Sequence, residues 1–326
     1  MIKTATKQTI QEAANILKKG GLVALPTETV YGLAARADDP DAVQKIFDAK
    51  GRPAVNPLII HVATLEQAER YAIMNDETKA VARQFWPGPL TLVLPLKKDA
   101  GIAPQVTAGL NTIAIRCPAH KTARAVLQEL DLPLAAPSAN TSGTLSPTRA
   151  FHVSRSLGDK VDLILADKGV NVGVESTILD LSTDQPAILR TGALTARDFE
   201  PLIGKVSYSH ETSDAPKAPG QMFRHYAPSL PLRLNAVDVH PDEALLAFGS
   251  TKFMGIKGGG RVDDLPEGAV KNLSESGDLE QAAANLFAML HELDQKSGKE
   301  RIAVMNIPDK GIGRAINDRL RRAAES

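Results

Sequence analysis

Lys50-Gly51-Arg52-Pro53 is the segment with the clearest chemical potential. A glycine and a proline fix the backbone around two cations. An arginine fork and a lysine point charge held together suit a polyphosphate. Basic residues also favour helix C-termini through the macrodipole, which accounts for Lys50 well and for the Arg-Pro pair poorly. Asn56 follows on the same turn, and His61 ends the apolar run after it, where a histidine is usually a satisfied core residue. Thr27-Glu28-Thr29 and Tyr31 come directly after the apolar run Leu22 to Leu25. Loops after strand ends are common ligand positions in α/β folds. The same residues read equally as a hydroxyl-stabilised turn with Tyr31 packed in the core. Arg116, before Cys117-Pro118, ends the apolar run from Thr112. It suits a substrate carboxylate or, equally, a surface salt bridge. Ser138-Ala-Asn140-Thr-Ser-Gly143 offers small polar groups and backbone N–H donors to an anion. Glu175-Ser176-Thr177 and Arg190-Thr-Gly192 flank two further apolar runs. Together these clusters, rich in cations, describe a pocket for a polyanionic small molecule. They do not identify the reaction.

Several familiar alternatives are missing. The chain has no Gly-x-x-x-x-Gly-Lys-Ser/Thr loop, no Gly-x-Ser-x-Gly elbow and no His-Glu-x-x-His pair. Gly311-Ile-Gly313 matches the start of a dinucleotide fingerprint but lacks its third glycine. The one cysteine, Cys117, allows neither an intrachain disulfide nor a cysteine zinc site, which fits a reducing compartment. Lys+Arg and Asp+Glu both number 38, so no global electropositive surface is indicated. The polar, basic start lacks the apolar core of a signal peptide, and no run reaches the ~18 apolar residues of a membrane span. The expectation is a cytoplasmic protein with no membrane partner.

The length predicts two domains. Strands and amphipathic helices alternate through the first two thirds. Helices are expected from Thr9 to Lys19 and from Pro40, with Asp39 as N-cap, to a stop at Gly51. Thr64 with Gln67 fits a capping box. Strands are expected at Leu22 to Leu25, Leu58 to Val62, Thr91 to Leu96, Thr112 to Arg116 and Ala187 to Arg190. A polar, proline-bearing stretch from about Ser207 to Pro231 reads as a linker. The remainder shows strands near Leu232, at Ala244 to Phe248 and at Ile302 to Ile307, with helices from Leu279 to Leu293 and at the end.

These residues resemble a known family. Lys50-x-Arg52 with Ser138-x-Asn140, Pro26-Thr-Glu-Thr-Val-Tyr-Gly-Leu33, Glu175-Ser-Thr-Ile178 and Leu189-Arg-x-Gly192 match the Sua5/YrdC family of L-threonylcarbamoyladenylate synthases. Ala218-Pro-Gly-Gln-Met-Phe-Arg-His-Tyr-Ala-Pro228 and the end from Gly311 match its long, two-domain form. The resemblance covers nearly the whole chain. It implies an α/β architecture: a YrdC-like twisted-sheet domain (1–206), a linker or lid (207–231) and a smaller Rossmann-like α/β domain (232–326). It further implies that L-threonine and bicarbonate or CO2 form N-carboxythreonine. Its carboxylate attacks the α-phosphate of ATP, and pyrophosphate leaves. Lys50 and Arg52 would be catalytic. Lys50, Arg52, Asn56, Ser138, Asn140 and Arg190 would bind ATP, with Thr112 and Ser146 as further contacts. Thr29, His61, Arg116 and Ser176 would bind threonine. Mg2+ would travel on the ATP phosphates, without protein ligands. The product would pass to the tRNA threonylcarbamoyl transferase machinery, with tRNA itself as a candidate partner. An RNA-binding role is the competing reading, and the zero net charge weighs against it. Within the linker, Phe223, His225 and Tyr226 stand beside Arg224 and between prolines. They suggest a lid in which Tyr226 or Arg224 touches the nucleotide, or an apolar glue between the domains.

Overall fold

The computed structural model describes residues 1–209, 218–219 and 225–325. Of the expected lid, Phe223 and Arg224 therefore lie outside the described residues. The chain divides into two compact units. The first comprises Met1–Ser142, Ser146–Asn171 and the described part of Glu175–Met222. The second comprises Gly143–Leu145, Val172–Val174 and the described part of Phe223–Ser326.

The first unit is built on one mixed sheet. Its strands are β1 (Ile2–Thr4), β2 (Val23–Leu25), β3 (Gly32–Arg36), β4 (Ile59–His61), β5 (Leu90–Pro95), β6 (Thr112–Arg116), β7 (Leu134–Ala135), β8 (Leu163–Ala166), β9 (Thr177–Asp180), β10 (Ala187–Arg190) and β11 (Ser207–Tyr208). They lie in the order β1-β8-β2-β3-β7-β4-β6-β5-β9-β10-β11. The central strands are apolar on both faces, as strands covered on both sides must be. Ile60, Leu92, Ile115 and Leu179 enter the main core. Ile59, Val93, Ala114 and Ile178 enter a smaller cluster. The strand β3 is not among the strands expected from sequence: Gly32 to Ala34 pair antiparallel with β2, and Ala35 and Arg36 with β7, so the turn after β2 spans residues 26–31. Similarly, β11 lies inside the stretch read as linker.

Local signals explain the helices. The first runs over Lys7–Lys18, starting two residues before the sequence reading, because Thr6 caps it in a box with Thr9. The helix Pro40–Lys50 begins at Asp39, whose side chain accepts from the Asp41 and Ala42 N–H groups. It ends at Gly51, with φ of 60°, a left-handed stop for which glycine has no steric cost. Thr64 caps only a four-residue helix, Leu65–Ala68. The Gln67 carboxamide accepts from the Ala63 N–H, one residue before the expected box position.

The second unit has a four-stranded sheet: β12 (Leu232–Ala236), β13 (Glu243–Ala247), β14 (Val270–Asn272) and β15 (Arg301–Met305). Every pairing is parallel, in the order β12-β15-β13-β14. Its helices are Leu279–Lys296, three residues longer than read from sequence, and Gly313–Ala324. Parallel strands with crossover helices make this the expected Rossmann-like unit.

Candidate functional site

Strand register assembles much of the site. His61 on β4 pairs with Arg116 on β6, and Arg116 with Thr91 on β5. Thr91 pairs with Ile178 on β9, and Ile178 with Arg190 on β10. Directly opposed residues share a face of a sheet. One rung therefore carries an imidazole, a guanidinium and a hydroxyl side by side, just beyond the apolar cluster of Ile59, Ala114 and Val93.

Arg116 is buried, not a surface salt bridge. Its Nη2 donates to Glu28 Oε1 at 2.7 Å and its Nη1 to Thr29 Oγ1 at 2.9 Å. Its buried Nε has no hydrogen-bond partner among the described residues. Glu28 Oε2 accepts from the Ala119 N–H at 3.1 Å. Burial works against the Glu28 carboxylate. The Arg116 charge and hydrogen bond, with the backbone N–H groups of Glu28 and Ala119, nevertheless hold its pKa below the usual range. The Thr29 hydroxyl also bonds that of Thr27 at 2.8 Å. His61 is pushed down to about 3, first by burial and then by the Arg116 charge. It is neutral at physiological pH, and its buried Nδ1 has no hydrogen-bond partner among the described residues.

A second group lies on β5, β9 and β10. Thr91 and Ser176 share a hydroxyl–hydroxyl bond of 2.7 Å. Arg190 donates from Nη2 to Ser176 Oγ at 3.0 Å, and from Nε to the Ser176 carbonyl at 3.1 Å. Its Nη1 reaches the Pro219 carbonyl at 3.4 Å. Gly192 allows this close approach, since a Cβ there would stand 2.3 Å from Thr177 N. Nearby in sequence, Glu175 Oε1 accepts from Ser146 Oγ at 2.5 Å.

The third group is the Lys50 turn. Lys50 is buried, and its Nζ donates to the carbonyls of Ser138 at 2.6 Å and Asn140 at 2.5 Å. This ties the helix end to the Ser138–Asn140 loop and leaves an ammonium hydrogen for a ligand. Burial, followed by the neighbouring Arg52 charge, pushes the Lys50 pKa well below its ordinary value. Arg52 donates to the carbonyls of Asn56 at 3.2 Å and Pro57 at 2.9 Å, which shapes the turn. The cations here are bonded to carbonyl dipoles, so an arriving phosphate would find charge already desolvated.

One expected residue lies elsewhere. Thr112 starts β6 opposite Pro95, at the other end of the strand from Arg116. Tyr226 belongs to the second unit, where its ring is buried against Phe287 at 5.7 Å and the Arg319 guanidinium at 5.4 Å. Conversely, no sequence motif marks Thr91, and the motif that holds Glu28 marks only a loop. Thr91 had a signal, a lone hydroxyl in the otherwise apolar Leu90-Thr-Leu-Val-Leu94.

Fold and site together define an α/β protein that gathers buried cations and small hydroxyls at the strand ends of a mixed sheet. Known proteins narrow that class. A family model described as "Telomere recombination" matches residues 15–192, and one described as "Threonylcarbamoyl-AMP synthase, C-terminal domain" matches residues 194–325. The threonylcarbamoyl-AMP synthase of Pyrococcus abyssi is 41% identical, covering 97% of this chain and 94% of the relative. That of Bacillus subtilis is 40% identical, covering 97% and 92%. The crystal structure of P. abyssi Sua5 complexed with L-threonine superposes with a TM-score of 0.86 at 37% identity, covering 99% and 96% of the two chains. The chain belongs to the threonylcarbamoyl-AMP synthase family.

Proposed function

We propose that the chain joins L-threonine, bicarbonate or CO2, and ATP into threonylcarbamoyl-AMP, releasing pyrophosphate. The observation that carries this reading is the rung His61–Arg116–Thr91, continued by Ser176 and Arg190. It offers a carboxylate-binding cation, small hydroxyls and a second cation on one sheet face.

In this reading Arg116 and Thr29 hold the threonine carboxylate and Glu28 positions Arg116. Neutral His61 can accept a hydrogen bond from the substrate without repelling its ammonium group. Ser176 faces the threonine hydroxyl. Lys50, Arg52, Asn56, Ser138 and Asn140 hold the phosphates, with Ser146 and Arg190 as further ATP contacts. An oxygen of the N-carboxylate attacks the α-phosphorus. The bond from that phosphorus to the β-phosphate oxygen breaks, and the electron pair leaves with pyrophosphate. The protein supplies position and charge neutralisation and no nucleophile. Mg2+ fits as a passenger on ATP, because Glu28 is paired with Arg116 and Glu175 already accepts the Ser146 hydroxyl. Its contribution would be to neutralise the phosphate oxygens. The product, a labile mixed anhydride, requires an acceptor. We assign that role to the tRNA threonylcarbamoyl transferase machinery, and assign the reaction to the cytoplasm.

Pyrophosphate release that requires both threonine and bicarbonate tests the reaction. Release that ignores either co-substrate would defeat it. Arg116→Ala should then weaken threonine binding by about 2–5 kcal/mol, and ATP binding far less. Calorimetry with equal losses for both ligands would remove Arg116 from the threonine site.

A further inference from the structure

The second unit has a cavity for which the proposed reaction has no use. Its position follows from topology. β12 and β15 are parallel neighbours, with Leu232 opposite Ile302 and Arg233 opposite Ala303. After β12 the chain passes to the face where Ala236, Val239, Leu245, Ala247 and Ala303 cluster. The alternate residues Ala244, Leu246, Ile302 and Val304 are buried too, and must point to the opposite face. The helix that follows β15, Gly313–Ala324, packs on β12 and on the helix Leu279–Lys296, and neither helix contributes to the first face. The connections after β12 and β15 therefore leave to opposite faces. Such a pair is a topological switch point, and open α/β sheets bind ligands outside the carboxyl ends of the strands there.

A cavity of about 310 Å³ opens at this place. Asn235 lines it from the end of β12, Asn306 and Asp309 from the segment after β15, and Asn317, Leu320 and Arg321 from the last helix. Asn235 has φ of 55°, and the β12–β15 register shifts between Arg233 and Ala236. An irregularity of this kind re-aims a side chain beside a site. Asn317 Nδ2 donates to the Ile307 carbonyl at 3.0 Å and to Asp309 Oδ1 at 3.3 Å, which holds Asp309 at the rim.

We propose that this cavity binds a single nucleotide unit carrying one phosphate. Its volume lies at the lower end of the ~300–1,000 Å³ of ligand pockets. Leu320 supplies an apolar wall for a base, and the amides of Asn235 and Asn306 suit base edges. A carboxylate such as Asp309, set after a strand of this fold type, suits ribose hydroxyls. Among the described residues that line the cavity, Arg321 is the single cation and Asp309 the single acid. One cation pairs with one phosphate, and the Asp309 carboxylate disfavours the added charge of a polyphosphate. The inference stands independently of the reaction proposed for the first unit.

The full chain is saturated with α,β-methylene ATP and L-threonine, then titrated calorimetrically with AMP, CMP, GMP and UMP, and separately with a trinucleotide. One further binding event per chain is expected. Arg321→Ala should weaken it at least tenfold, and Asn306→Trp, which fills the cavity from an exposed position, should abolish it. Both variants should release pyrophosphate at rates within twofold of the parent. Binding of the monophosphates identifies a free nucleotide as the ligand, and binding of the trinucleotide alone identifies a nucleic-acid strand. Absence of heat with every probe, or binding that survives both substitutions, overturns the proposal.

Discussion

The first unit buries two sets of cations and treats them differently. Arg116 meets a carboxylate, and the pair is charge-balanced before any ligand arrives. Lys50 meets the carbonyls of Ser138 and Asn140, and burial and Arg52 both disfavour its charge. Removing one partner of a buried ion pair leaves the other stranded. A cation bonded to neutral carbonyls instead meets its counter-charge only when an anion arrives, and the anion then favours the charged form. The amino-acid end is thus preassembled, whereas the phosphate end is completed by the phosphates.

The sharpest way to break this contrast is Glu28→Ala. It strands Arg116 and should destabilise the ligand-free chain by about 3–5 kcal/mol in urea unfolding. Threonine should recover part of the loss, because its carboxylate can take the vacant place. A loss below about 1 kcal/mol would mean that the pair is not the structural unit described here. Next is Arg52→Ala. Turnover should fall about 10²- to 10³-fold while circular dichroism stays that of the folded chain. Turnover like the parent's would remove Arg52 from the phosphate site.

The pH dependence separates the groups of the amino-acid end. His61 has a folded pKa of about 3 against 6.5 in the unfolded chain. As pH falls the unfolded chain binds the proton first, so stability is complete above 6.5 and drains as pH falls towards 3. Glu28 is lowered from 4.5, so its contribution is complete above 4.5 and is lost as pH falls through its folded pKa. His61→Gln should therefore flatten the stability profile between 6.5 and 4.5 and keep the loss at lower pH. An unchanged slope in the upper window would contradict the burial of a neutral His61. The smallest effect belongs to Thr91→Val. It deletes one buried hydroxyl bond to Ser176, about 1 kcal/mol, and should raise the threonine KM about fivefold with little change in kcat.

How far the sequence foretold this arrangement varies with the kind of signal. The helix Pro40–Lys50 was legible because Asp39, Pro40 and Gly51 are chemical markers of its two ends. The strands β4, β6 and β10 were legible as apolar runs closed by His61, Arg116 and Arg190. The order of the sheet was not. Nothing local says that β5 lies between β6 and β9, and so nothing placed Thr91 beside Ser176. Glu28 was visible as a residue but not as the partner of Arg116, 88 positions away. Tyr226 stood out in sequence for its company of aromatics, whereas its packing on Phe287 and Arg319 depends on helices far downstream.

The rung from His61 to Arg190 also works as a ruler. It crosses β4, β6, β5, β9 and β10, roughly 19 Å along the sheet at the usual strand spacing. Main-chain ladders set that length, so it does not stretch when a side chain is replaced. The scale has one weakness, which is phase. Inserting a single residue within β5 or β6 would turn each following side chain to the opposite face. The chain should therefore tolerate many substitutions along these strands and few insertions, whereas the exposed loop at Gly258–Gly260 should accept both.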